Sequence, residues 1–94
     1  MATSTATISS SRASGYLQQL CKHFGHKVPV TFTAEVGEIA LPFGTCSLRA
    51  QDTSLVLSVT GETDAIARLE QVIGDHLVRF AFRENLSMTW QRSA

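Results

Sequence analysis

Hydrophobic and polar residues alternate with two different periods along this chain, and the switches between the periods delimit its elements. From Ala2 to Ile8, small or apolar residues at even positions alternate with Thr3, Thr5 and Thr7, a period of two and a weak strand signal. Ser9, Ser10 and Ser11 then offer helix N-caps. Ala13, Tyr16, Leu17, Leu20, Cys21 and Phe24 recur at helical spacing, so the first helix has one apolar face, and Gly25 is its natural stop. Val28, Val30 and Phe32 alternate with Pro29, Thr31 and Thr33, which predicts a half-buried strand; Pro29 places it at a sheet edge or at the start of the strand.

Glu35-Val36-Gly37-Glu38 predicts a hairpin turn, followed by a strand on which Ile39, Leu41 and Phe43 alternate. Pro42-Phe43-Gly44 marks a bend or bulge. Cys46, Leu48 and Ala50 alternate next, Gln51-Asp52-Thr53 turns the chain, and Leu55, Leu57 and Val59 form another strand. Gly61-Glu62-Thr63-Asp64 opens a second helix with acidic residues where the helix dipole favours them. Its buried stripe is Ile66, Leu69, Ile73, His76, Leu77 and Phe80. Asp64 with Arg68 and Asp75 with Arg79 are spaced as i,i+4 ion pairs. Arg83-Glu84-Asn85 turns the chain into a last strand on which Leu86, Met88 and Trp90 alternate.

The element order is therefore β-α-β-β-β-β-α-β within one α+β domain covering residues 1–94. Short connections between consecutive strands favour antiparallel pairing. The fold expected is a two-layer sandwich, a mostly antiparallel sheet with both helices on one face. Its outer face would carry Thr31, Thr33, Ala40, Thr45, Ser47, Val56, Ser58, Ser87 and Thr89, with Glu38 and Arg49 as its charges. A low-charge face of this kind is either a solvated surface or a docking surface for a second subunit or another domain.

Composition narrows the partners. Charged residues make up 17% of the 94, and eight Lys and Arg balance eight Asp and Glu. No basic run provides the phosphate-neutralising face of a nucleic-acid binder, so nucleic acid is not an expected partner. No apolar stretch is long enough for a membrane span, and the Ala-, Thr- and Ser-rich start lacks a signal-peptide core, so no membrane partner and a cytoplasmic location are expected. In that compartment the two cysteines are expected to be reduced thiols.

Soft-ligand chemistry reduces to five side chains: Cys21, His23, His26, Cys46 and His76. At about 100° per residue, Cys21 and His23 lie on opposite flanks of the first helix, so an intact helix cannot offer both to one ion. His23 and His26 are three apart and can lie together at the helix end, with His76 as the nearest source of a third ligand. The plainer alternative makes His76 a core-edge histidine and the other two surface residues. Cys21 and Cys46 read as buried thiols behaving as small hydrophobes, or alternatively as a redox pair or metal thiolates. Glu35, Glu38, Glu62, Glu70 and Glu84 read as turn or solvent-face residues, and no phosphate loop or nucleophile elbow is present. Arg79 and Arg83, flanking Phe80 and Phe82, are the best remaining cluster for an anionic ligand or partner.

Three blocks carry a resemblance. Residues 16–27 (YLQQLCKHFGHK), 42–46 (PFGTC) and 76–84 (HLVRFAFRE) resemble a bacterial domain-of-unknown-function family, number twenty-two eighteen in its series. The family brings no established activity. Similar domains occur attached to siderophore-interacting, ferric-reductase-like flavoproteins, so the resemblance implies an association with iron traffic. It also implies a siderophore-interacting protein as a partner; the five soft side chains, and not the resemblance, name iron or zinc as the transition metal to test. The leading expectation is a non-enzymatic binding or accessory domain using His23, His26 and Cys46, with His76 and Cys21 behind them. A small thiol- or histidine-dependent enzyme or redox protein, and a scaffold dimerising through its sheet face, are the alternatives.

Overall fold

The computed structural model describes residues 1–81 and 88–93. Its elements are β1 (Ala2–Ser9), α1 (Ala13–Phe24), β2 (Val30–Phe32), β3 (Val36–Leu41), β4 (Gly44–Gln51), β5 (Ser54–Gly61), α2 (Ile66–Phe80) and β6 (Trp90–Ser93). The order is the one the alternation predicts. Every neighbouring pair is antiparallel, in the sheet order β2-β3-β4-β5-β1-β6. The strands β2 to β5 form a meander, because each turn between them is too short for anything but a hairpin. The first strand, β1, instead lies between β5 and β6, and α1 carries the chain from there across the sheet to the far edge at β2.

Both helices cover the same face, α1 over β2, β3 and β4, and α2 over β5 and β1. The core between the layers holds Leu17 and Leu20 from α1, Leu69, Ile73 and Leu77 from α2, and Leu55, Leu57 and Val59 from β5. Position parity follows the pleat. In β5, Leu55, Leu57 and Val59 are buried while Ser54, Val56, Ser58 and Thr60 face the other way. The outer face is bare and hydroxyl-rich. Thr3 and Thr60 hydroxyls lie 3.2 Å apart across β1 and β5, and Thr5 and Ser58 hydroxyls 3.1 Å apart.

Several local expectations shift. The β2–β3 turn runs from Thr33 to Val36, earlier than Glu35–Glu38. Thr33 N–H donates to the Val36 carbonyl at 2.7 Å, and the Thr33 hydroxyl oxygen accepts from the Glu35 and Val36 amides. Pro42 and Phe43 are the two-residue β3–β4 loop itself, since Leu41 pairs with Gly44, rather than a bend within a strand. Gly25 does stand at the C-cap of α1, but in right-handed helical geometry (φ −61°, ψ −16°), so it stops the helix without the left-handed cap. No serine side chain caps α1; the Ser10 hydroxyl accepts from the Arg12 amide just ahead of the helix. The final strand starts at Trp90, two residues after Met88; Leu86 and Ser87 lie outside the described residues.

The expected i,i+4 ion pairs of the second helix do not form. Asp64 falls in a 3-10 turn (Thr63–Ala65) ahead of α2, which breaks its helical register with Arg68. The Arg68 guanidinium instead stacks over Phe43, 4.2 Å from the ring centre. Asp75 and Arg79 stay apart, as exposed pairs with little to gain commonly do. Among the described residues the ion pair that forms is Glu70–Arg92, at 2.8 Å. Glu70 also accepts a 2.6 Å hydrogen bond from the hydroxyl of Ser4, which is fully buried on the inner face of β1. This carboxylate thus ties α2 to β1 and β6, a role that its reading as a solvent-face residue does not anticipate.

Candidate functional site

The C-terminal ends of α1 and α2 meet, and there the chain gathers its imidazoles. His23, on the exposed flank of α1, and His76, half-buried on α2, have ring centres 4.8 Å apart with planes tilted by 46°. Phe24 closes one side, 4.9 Å from His76 and 5.4 Å from His23, and Phe80 packs edge-on against His23 at 5.5 Å. The pairing follows from helix geometry. His23 and Phe24 form the last turn of α1, and His76 and Phe80 are four apart on α2, hence on one face.

His76 is held by its own helix. Its Nδ1 lies 2.7 Å from the Val72 carbonyl, which can only accept, so Nδ1 carries the proton and Nε2 keeps its lone pair in the neutral ring. The His23 imidazole titrates below its ordinary value. Partial burial against the neighbouring rings is the main cause, and the positive charge of His76, Lys27, His26 and Arg79 adds to it. Lys27 and Arg79 are the permanent positive charges among these neighbours.

The five candidate residues divide into two groups. His23 and His76 come together. His26 lies close enough to act on His23 electrostatically, but it makes no ring contact with the pair among the described residues. Cys21 and Cys46 are sealed in the core, both without solvent exposure and both free thiols. Burial pushes the Cys21 thiol up to about 11; burial, with a further contribution from Cys21, pushes Cys46 up to about 12. Neither is a thiolate at neutral pH, the form that nucleophilic, redox and metal-binding thiols require. Cys21 has a packing role in its place: a Cβ on Gly37 of β3 would lie 2.8 Å from its sulfur, so the glycine makes room for the thiol.

No group of three or more His, Cys, Asp or Glu placed to hold a metal ion occurs among the described residues. The expected set His23, His26 and Cys46 is thus not one site: Cys46 sits inside the sandwich and the histidines at its end. Arg79 is exposed beside the imidazole pair; its expected partner Arg83 lies outside the described residues. The aromatic walls Phe24 and Phe80 are the part of the site that spacing did not single out. Helical periodicity assigns both to the core stripe, and only the meeting of the two helix ends turns them toward the imidazoles.

The profile of a bacterial protein family described as "Uncharacterized protein conserved in bacteria (DUF2218)" matches residues 5–91. The chain belongs to the DUF2218 family. A solved relative of this DUF2218 chain is described as the NMR structure of PA4090 from Pseudomonas aeruginosa. The two are 35% identical, with 97% of this chain and 96% of that one covered, at a TM-score of 0.82. No curated protein matches the chain. Over the described residues, the three blocks that carry the resemblance in the sequence map onto α1 and its exit, the β3–β4 hairpin and, for residues 76–81, the end of α2. The first and third of these meet at the imidazole pair. No described helix is long and apolar enough to cross a membrane.

Proposed function

We propose that this domain is a non-enzymatic binding and accessory module in iron or siderophore handling, receiving an anionic ligand at the ring cluster where α1 and α2 end. One observation carries the reading: two imidazoles from different helices converge at an accessible place near Lys27 and Arg79, while both thiols are withdrawn into the core. Iron chelates of the siderophore kind present anionic oxygens and often flat rings. Cationic side chains and tilted aromatic rings are complementary to both. The family resemblance supplies the link to iron.

The reading is tested by titrating isotope-labelled protein with the iron(III) complex of 2,3-dihydroxybenzoate, with the diamagnetic gallium(III) complex as control. Paramagnetic broadening is expected at the amides of residues 21–27 and 74–81. Absence of broadening, or broadening centred on the sheet face, would overturn it.

A second reading rests on the bare sheet face, and its occupant is a second copy of this chain. Glu38 and Arg49 lie on the adjacent strands β3 and β4, offset diagonally because Glu38 pairs with Ser47 and Arg49 with Val36. Neither forms an ion pair among the described residues. A two-fold axis through this face sets Glu38 of one copy against Arg49 of the other, twice. Sedimentation should then show a dimer, Arg49→Glu should shift it to monomer, and adding Glu38→Arg should restore it. A wild-type chain that stays monomeric to high micromolar concentration sinks this reading.

A further inference from the structure

The imidazole pair sits at a separation that ring packing and shared metal coordination both allow. Two imidazoles on one ion, each with its nitrogen about 2.0–2.1 Å from the metal, place their ring centres about 4.5–5.2 Å apart at the bond angles of square or tetrahedral coordination. The observed separation is 4.8 Å. Metal-ligating histidines characteristically donate their second ring nitrogen to a backbone carbonyl or a carboxylate, which fixes tautomer and orientation. His76 already does so through Nδ1 and the Val72 carbonyl, leaving Nε2 as its donor atom. The two rings come from different helices and are wedged by Phe24 and Phe80, so their separation does not depend on one flexible stem.

We infer that His23 and His76 are a chelating pair for a first-row transition ion whose remaining coordination positions are filled by an anionic ligand. The inference rests on the ring cluster being the binding surface and names what that surface holds. The pair fills two positions of the ion, and no third His, Cys, Asp or Glu is placed with it among the described residues. The Lys27 and Arg79 side chains lie near His23. A bare cation is disfavoured there, and a cation accompanied by anionic oxygens is favoured. The site is thus suited to an ion that arrives with, or recruits, an oxygen-donor chelator. Nickel should bind more tightly than cobalt, following the usual order for nitrogen sites.

The test is calorimetric titration of the full chain, free of any affinity tag, with Zn²⁺ and with Ni²⁺. The same titrations use His23→Gln, His76→Gln and His26→Gln. One ion per chain is expected, with affinity at least about tenfold weaker in each of the first two variants and little changed in the third. Histidine ring-nitrogen spectra of the wild-type protein provide a readout that does not depend on how the variants fold: Zn²⁺ should shift Nε2 of His76 and leave its Nδ1 proton in place. No uptake, loss in only one of the paired variants, or equal loss in His26→Gln overturns the inference. Zn²⁺ and Ni²⁺ failing while the iron(III) catecholate complex still broadens the cluster defeats the chelating pair and leaves the binding reading standing. Metal uptake with no response to the iron complex does the reverse.

Discussion

Leu69→Ala should cost about 4 kcal/mol of folding stability, within the range of buried leucine truncations and a large part of the total for a domain of this size. Leu69 is fully buried on α2 and seats in a notch made by two glycines at neighbouring positions of β4 and β5. A Cβ on Gly44 would lie 2.7 Å from Leu69 Cδ1, and one on Gly61 3.0 Å from it. Gly44 also approaches the Thr60 carbonyl so closely that a Cβ there would sit 2.6 Å from the oxygen. Backbone on both sides lines the notch, so it cannot collapse around an alanine, and the cavity penalty stays near its full value. Val78 provides the contrast: it lies on the same helix, half exposed, and Val78→Ala should change stability by about 0.5 kcal/mol or less. Urea unfolding of the two variants measures both. A Leu69→Ala loss below about 1.5 kcal/mol would mean that the notch relaxes and that α2 is not keyed to the sheet there.

The second large effect belongs to Glu70. Its carboxylate takes two hydrogen bonds from the Arg92 guanidinium, at 2.8 and 2.9 Å, and one from the Ser4 hydroxyl at 2.6 Å. Glu70→Ala should cost about 2 kcal/mol, chiefly because the fully buried Ser4 hydroxyl loses its partner. Ser4→Ala combined with Glu70→Ala should be less damaging than the two losses added, since removing both partners leaves nothing unpaired. Arg92→Ala should be milder than Glu70→Ala and sensitive to salt, because that side chain is largely exposed.

The pair also sets an acid dependence. The Arg92 hydrogen bonds hold the Glu70 carboxyl below its ordinary value, against a smaller upward push from burial and with help from Ser4. A carboxyl depressed in the folded state stabilises fully above its unfolded value of about 4.3, and that contribution is lost as pH falls through the folded value. The stability gap between wild type and Glu70→Gln should therefore be constant near neutrality and close progressively below about pH 4.5. A gap unchanged down to pH 2.5 would show that the carboxylate is not what Ser4 and Arg92 hold.

The order of strands and helices, the covered face of the sheet and most of the core are legible in the sequence. A half-buried strand and an amphipathic helix each print their period directly onto the positions of apolar residues. Val30, Ile39, Cys46, Leu57 and Ala6 share the inward parity that the alternation assigns them. Boundaries set by single hydrogen bonds are less legible: the Thr33 turn and the Pro42-Phe43 loop move by a few residues, because several turn geometries suit the same polar residues. Ser4 is a polar residue at an inward position whose need for a partner the alternation does not reveal. The partner, Glu70, is 66 positions away and invisible to any local pattern.

The sequence by itself determined that this is a six-stranded α+β sandwich of a bacterial family, with two thiols and three histidines as its soft side chains. The tertiary structure decided which of those side chains meet. Periodicity reports the face on which a residue lies but not how far along a neighbouring element its counterpart sits. The insertion of β1 between β5 and β6 and the closing of the two helix ends on one another bring His23 to His76. The same packing seals Cys21 and Cys46 inside, because both point from their elements into the layer where α1 covers the sheet.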